Sequence, residues 1–211
     1  MQYNVPANAH GFISWLPSMW PTPPASFTSQ FADSLEIIFR ETILDEIANV
    51  ISDAKAQPSG LQHRGHVIAL AMLCAVDALA GYAYGGKVGK RYVRFIQNFF
   101  PSDYRPFAEA IYNQYRNITV HSWNIFEVAI LPGNEKIADT GGCLSFGLLH
   151  FFDALQTAVS AFITELKNNQ VLQQNSMTRY KALKNSAKPL PNPQQPVGTL
   201  ITSTMSARTG N

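Results

Sequence analysis

Apolar residues recur along most of this chain at the three- and four-residue spacing of a helix face. Phe31, Leu35, Ile38, Phe39, Ile43, Ile47, Val50 and Ile51, with acids between them, predict a long amphipathic helix over residues 28–56. Pro58-Ser59-Gly60 ends it. Residues 66–84 are apolar nearly all round, the pattern of a central helix surrounded by others, and Gly85-Gly86 forces a turn after them. Over residues 88–99, Val88, Tyr92, Phe95, Ile96 and Phe99 share one face, while Lys90, Arg91 and Arg94 lie toward the other. Pro106 is placed to open a fourth helix over residues 106–118, with Phe107, Ala108, Ile111, Tyr112 and Tyr115 inward. The β-branched run Ile118-Thr119-Val120 lowers helix propensity and frays that helix.

The pattern then changes. Residues 123–130, the turn Leu131-Pro132-Gly133-Asn134 and residues 135–139 alternate and turn like a small β-hairpin. Leu148, Phe151, Phe152, Leu155, Val159, Phe162, Ile163 and Leu166 restore helical spacing and predict a last helix over residues 144–172. The expected fold is all-α: an antiparallel bundle of about five helices with a hairpin insertion near residues 123–139. Residues 1–27 form a leader rich in proline and aromatics, 28–185 the helical domain and 186–211 a disordered basic tail carrying prolines 189, 191, 193 and 196. The leader's Phe12, Trp15, Leu16, Met19 and Trp20 are too apolar to be left in water, so it is expected to dock on the helices or on a partner chain.

Length and charge narrow this picture. A chain of 211 residues, 46% of them apolar, supports one core and not two. Residues 1–165 carry ten Lys/Arg against all fourteen acids, net −4, and residues 166–211 carry six Lys/Arg and no acid, net +6. The basic residues of the tail are dispersed, which fits a solvated segment better than a nucleic-acid-binding block. Cys74 and Cys143 lie far apart in apolar stretches, as small buried hydrophobes in a reducing, cytoplasmic setting would. The segment from Val67 to Tyr84 is long enough to span a bilayer, but Asp77 at its middle makes that costly, so no membrane association is expected.

Candidate chemistry gathers at Tyr115-Arg116-Asn117-Ile118-Thr119-Val120-His121-Ser122-Trp123. Arginine holds a phosphate bidentately at any cellular pH, and histidine exchanges protons near neutrality. These are the minimum parts for cleaving RNA without a metal, because RNA supplies its own 2′-hydroxyl nucleophile. Five helical positions separate Arg116 from His121 by about 7.5 Å of rise and about 140° of rotation. They converge only if the helix loosens after Ile118 or if a second chain completes the site; two copies of His121 across a twofold axis would supply both acid and base.

The pattern Arg116-Asn117-x-x-x-His121, at the end of a helix in a small helical bundle, resembles the signature of the HEPN superfamily. Asp77-Ala78-Leu79-Ala80-Gly81-Tyr82-Ala83-Tyr84 and the basic segment after it are similar to bacterial proteins in or beside that group, so the resemblance covers residues 65–121. Many members are metal-independent ribonucleases of toxin, phage-defence or RNA-processing systems, dimeric, with the arginine and histidine at the interface. Other members are inactive binding or dimerisation modules. The resemblance implies Arg116 on the scissile phosphate, His121 as the acid/base group and Asn117 orienting one of them. It also implies a homodimer, an RNA substrate and an antitoxin or regulatory partner. Two residues after the histidine, where some toxins carry a modified tyrosine, stands Trp123, which argues against that form of regulation.

A second reading needs no catalysis. Asp77, a carboxylate in the apolar second helix, needs a donor, and Arg116 can supply it while His121 caps the helix end. That reading expects Arg116 buried against Asp77; the enzyme reading expects Arg116 and His121 accessible in a cleft. Lys87, Lys90, Arg91 and Arg94 either guide RNA phosphates or form the solvated face of their helix. His63-Arg64-Gly65-His66 lacks further ligands at metal-binding spacing, and neither metal nor cofactor is expected.

Overall fold

Thr28 begins the first helix as an extended N-cap whose hydroxyl accepts from the Phe31 amide at 3.1 Å. The computed structural model describes residues 22–58, 60–62, 64–117, 129–140 and 143–186, without the side chains of Gln62, Asn117, Thr140 and Cys143. Helix α1 (Ser29–Phe39) passes through a π-helical stretch, Arg40–Leu44, into α2 (Asp45–Lys55). The three pieces bury Phe31, Leu35, Ile38, Phe39, Leu44, Ile47 and Ile51 on one side, as a single amphipathic stripe requires.

Helix α3 (Gly65–Ala83) is the most apolar element, and α2 and the helices over residues 88–99 and 148–168 all lie against it. Its mean hydropathy of 1.7 and 19-residue length would suffice to cross a membrane, and 61% of its apolar window is buried within the protein. Gly86, at φ +90°, supplies the left-handed turn into α4 (Val88–Phe99). After the 3-10 turn Arg105–Phe107 and the short α5 (Ala108–Ala110), the chain widens into a π-helix, Ile111–Asn117. The fourth helix expected over residues 106–118 is therefore mostly π rather than α. Residues 118–128, with His121 and Trp123, lie outside the described residues.

The hairpin expectation is corrected. Strands β1 (Ala129–Leu131) and β2 (Ala138–Thr140) do not pair with each other; β3 (Cys143–Gly147) lies between them, parallel to β1 and antiparallel to β2. Residues 144–147, expected to start the last helix, are instead extended, because Leu144 and Phe146 alternate inward on one face. Gly147 then lets two backbones meet: a Cβ there would lie 2.5 Å from both N and O of Glu135. Its amide donates to the Glu135 carbonyl at 2.9 Å, and the Leu149 amide donates to the Gly133 carbonyl at 3.0 Å.

Helix α6 (Leu148–Asn168) ends at Asn169, whose side chain accepts from the amides of Val171 and Leu172 and so caps a separate α7 (Gln170–Ser186). The single helix expected over residues 144–172 is thus a strand, a helix and the start of another helix. Ser176 and Asn175 of α7 donate to the carbonyls of Tyr82 and Ala83, satisfying the C-terminal end of α3. Rings of Phe39, Tyr82, Phe95, Phe99 and Phe162 meet edge-on or tilted at the centre, each such pair worth about 0.5–1.5 kcal/mol beyond its burial.

The chain divides into two units, Thr22–Lys181, and Met1–Pro21 with Ala182–Asn211. The described part of the second unit is the last turn of α7; residues 1–21 and 187–211, and so most of the expected leader and tail, lie outside the described residues.

Candidate functional site

Asp77 lies on α3 with its side chain 19% exposed, and two arginines converge on it. Arg116 Nη2 donates to one carboxylate oxygen at 2.7 Å, and Arg91 Nη2 donates to the other at 3.3 Å. The guanidinium side chains are 14% and 16% exposed, so the cluster is mostly withdrawn from water.

Three elements build this arrangement. On α4, Arg91 precedes the fully buried Tyr92, which turns that side of the helix toward α3. On the π-helix, Tyr112 and Arg116 stand four residues apart, with the Arg116 guanidinium 5.8 Å from the Tyr112 ring centroid. Tyr112 also packs 5.3 Å from the Tyr92 ring and against Gly89, where a Cβ would come within 2.8 Å of the phenol carbons. The π-helix is anchored by Tyr115, whose hydroxyl donates to the Leu144 carbonyl with the Ala129 carbonyl 3.3 Å away, and whose ring lies 4.7 Å from that of Phe146. The small sheet thereby fixes the end of the segment that carries Arg116.

The electrostatics follow from burial and from Asp77. Burial pulls the Arg116 guanidinium toward deprotonation, but the Asp77 hydrogen bond and charge, helped by Tyr112 and Tyr92, outweigh it and raise its pKa. Burial raises the Tyr92 phenol far above its usual value; the Asp77 charge adds to this and Arg116 opposes it. Burial also raises the Cys74 thiol, one turn before Asp77, with Arg116 acting against that shift, so it is a poor thiolate although exposed.

Of the residues singled out in the sequence, the structure brings together Arg116, Asp77 and Arg91. Asn117 ends the π-helix, its side chain outside the description, and His121 and His63 are among the residues not described. Lys87, the residue before α4, and Lys90 on it are exposed. Arg91 is not part of one solvated basic face with them, because its place beside Tyr92 directs it to Asp77. Arg94, exposed, lies over the Tyr84 ring at 4.3 Å. Tyr92 and Tyr112 are read from the sequence only as core residues; their spacing from Arg91 and Arg116 is the signal that they also line this cluster. Among the described residues, no group of three or more His, Cys, Asp or Glu side chains is placed to hold a metal ion. No protein-family profile, curated protein or solved structure matches the chain.

Proposed function

We propose that this chain is a HEPN-like helical module that acts by binding rather than by cleaving, with Arg116 tying the end of its π-helix to the central helix. The observation that carries this reading is the 2.7 Å contact between Arg116 and Asp77, with Arg116 only 14% exposed. An arginine poised for a scissile phosphate would present its fork to solvent; here a carboxylate already takes part of that donor set. Breaking such a pair costs more than an exposed one, because the partner left behind keeps its charge in a desolvated place.

A second reading is supported by the basic residues at the start of α4. Lys87, immediately before the helix, and Lys90 within it stand exposed. In that reading the protein is a cytoplasmic, homodimeric, metal-independent endoribonuclease with an RNA substrate and an antitoxin or regulatory partner. His121 would take the proton of the 2′-hydroxyl as it attacks phosphorus, and the second copy's histidine would protonate the departing 5′-oxygen, leaving a 2′,3′-cyclic phosphate.

One experiment separates the two. Labelled total RNA and tRNA are incubated in EDTA with the wild-type protein, Arg116→Ala and His121→Ala, and each protein is melted in parallel. The binding module predicts inert RNA in every lane and a lowered melting temperature for Arg116→Ala. Cleavage by the wild type in EDTA, lost in both variants, would overturn it in favour of the nuclease.

A further inference from the structure

The break between α6 and α7 opens a cavity of about 460 Å³, within the range that holds small ligands. It is lined by Tyr84, by Arg94, Asn98 and Phe99 of α4, by Ala161 and Glu165 of α6, and by Val171 and Leu172 beyond the break. Phe99, Leu172 and the Tyr84 ring, all buried, supply the apolar part of the lining. Val171, at 64%, is the most exposed of the large hydrophobic residues on the described surface, and it stands at this rim.

The polar groups of the lining are oriented and incompletely used. Asn98 Nδ2 donates to the Tyr84 hydroxyl at 2.6 Å, and the Tyr84 ring supports the Arg94 guanidinium at 4.3 Å. Glu165 accepts from Asn169 Nδ2 at 3.0 Å, which leaves its other lone pairs available. Arg94 and Glu165 line the same cavity, yet among the described residues neither forms an ion pair with the other or with any third group. Neither charge is neutralised by a counter-ion among the described residues, so the lining offers one charge of each sign to a ligand that carries both.

We propose that this cavity binds a small zwitterion with an apolar body, of the chemical class of a free aromatic or branched amino acid. Arg94 takes the carboxylate with its planar fork, Glu165 accepts from the ammonium, and Tyr84, Phe99, Leu172 and Val171 cover the side chain. The site is separate from the Asp77 cluster and does not depend on the function assigned there.

The test is calorimetry on the full chain with L-phenylalanine and L-leucine, against L-phenylalaninamide, which lacks the carboxylate, and 3-phenylpropionate, which lacks the ammonium. At least one amino acid is expected to bind with Kd below about 1 mM. Removing either ligand charge, or introducing Arg94→Gln or Glu165→Gln, is expected to weaken it at least about tenfold. Both side chains are exposed, so both variants should melt with the wild type. The proposal is overturned if neither amino acid binds, if 3-phenylpropionate or the amide binds as tightly as the amino acid, or if either variant binds undiminished.

Discussion

Asp77→Asn tests the central cluster most directly, because it keeps the shape of the side chain and removes only its charge. In the wild type the carboxylate answers Arg116 at 2.7 Å and Arg91 at 3.3 Å. A unit charge pair about 4 Å apart at an effective dielectric near 20 is worth about 4 kcal/mol. Much of that is offset by the several kcal/mol spent in desolvating the carboxylate, which asparagine does not spend. What remains is the lost attraction plus a new repulsion between two guanidinium groups that are each about 15% exposed. The net destabilisation should be about 2–3 kcal/mol, below the 3–5 kcal/mol of a fully buried pair. For a chain of this size that lowers the melting temperature by about 5–10 °C. The assay is urea denaturation followed by circular dichroism in about 0.1 M and about 1 M NaCl. High salt should narrow the gap to wild type, because it screens the residual repulsion. In the double-mutant cycle with Arg116→Gln, a coupling of about 1–2 kcal/mol should appear. A loss below about 0.5 kcal/mol together with zero coupling would refute the idea that Asp77 holds the π-helix in place.

Three further outcomes follow from local geometry. Gly147→Ala should destabilise by about 2–3 kcal/mol, measured by urea midpoint, since its Cβ would lie 2.5 Å from the Glu135 backbone, which cannot swing aside; a wild-type midpoint would mean that crossing is not tight. Thr28→Ala should cost about 1 kcal/mol by removing the cap on Phe31, whereas Thr28→Asn should not, and equal midpoints for the two would contradict the capping role. Burial raises the phenol pKa values of Tyr82, Tyr92 and Tyr104 above the ordinary value near 10. The folded state then keeps protons that the unfolded chain releases, so this stability is present below about pH 10 and is lost as the pH rises beyond it. Urea midpoints from pH 9 to pH 11 should fall, and Tyr104→Phe should flatten the slope; an unchanged slope would remove Tyr104 from the account.

How far the site can be read from sequence differs residue by residue. Asp77 stands out because an acid in an apolar helix needs a donor, and Arg116 stands out because it precedes an amide at a helix end; the structure places the two 2.7 Å apart. The inward turn of Arg91 is not legible in the same way. It shares its helix with Lys90 and Arg94, with Lys87 just before them, and composition alone groups the four together. The helix is rotated by the burial of Tyr92, Phe95 and Phe99, and that rotation sends Arg91 to Asp77 and Arg94 to Tyr84. The π-helix at Ile111–Asn117 has no sequence signal in the 3.6-residue pattern, because the same apolar positions suit either winding.

The amino-acid sequence by itself determined that the chain is mostly helical, the outer bounds of the stretch that α1 and α2 share, where α3 and α4 run within a residue or two, and that α3 is the most apolar of them, since these depend on local periodicity, caps and turn residues; the π-helical join of α1 to α2 was not among them. The tertiary structure alone decided that β3 lies between β1 and β2 and that two arginines share one carboxylate. Each of these joins residues distant in the chain, through the backbone bonds of Gly147 to Glu135 and the convergence of three helical segments on Asp77, whereas the break at Asn169 is a local cap that the 3.6-residue pattern did not reveal. Hydrophobic spacing records which side of an element is buried. Which partner it is buried against is set by long-range packing, and the charges at the site follow from that choice.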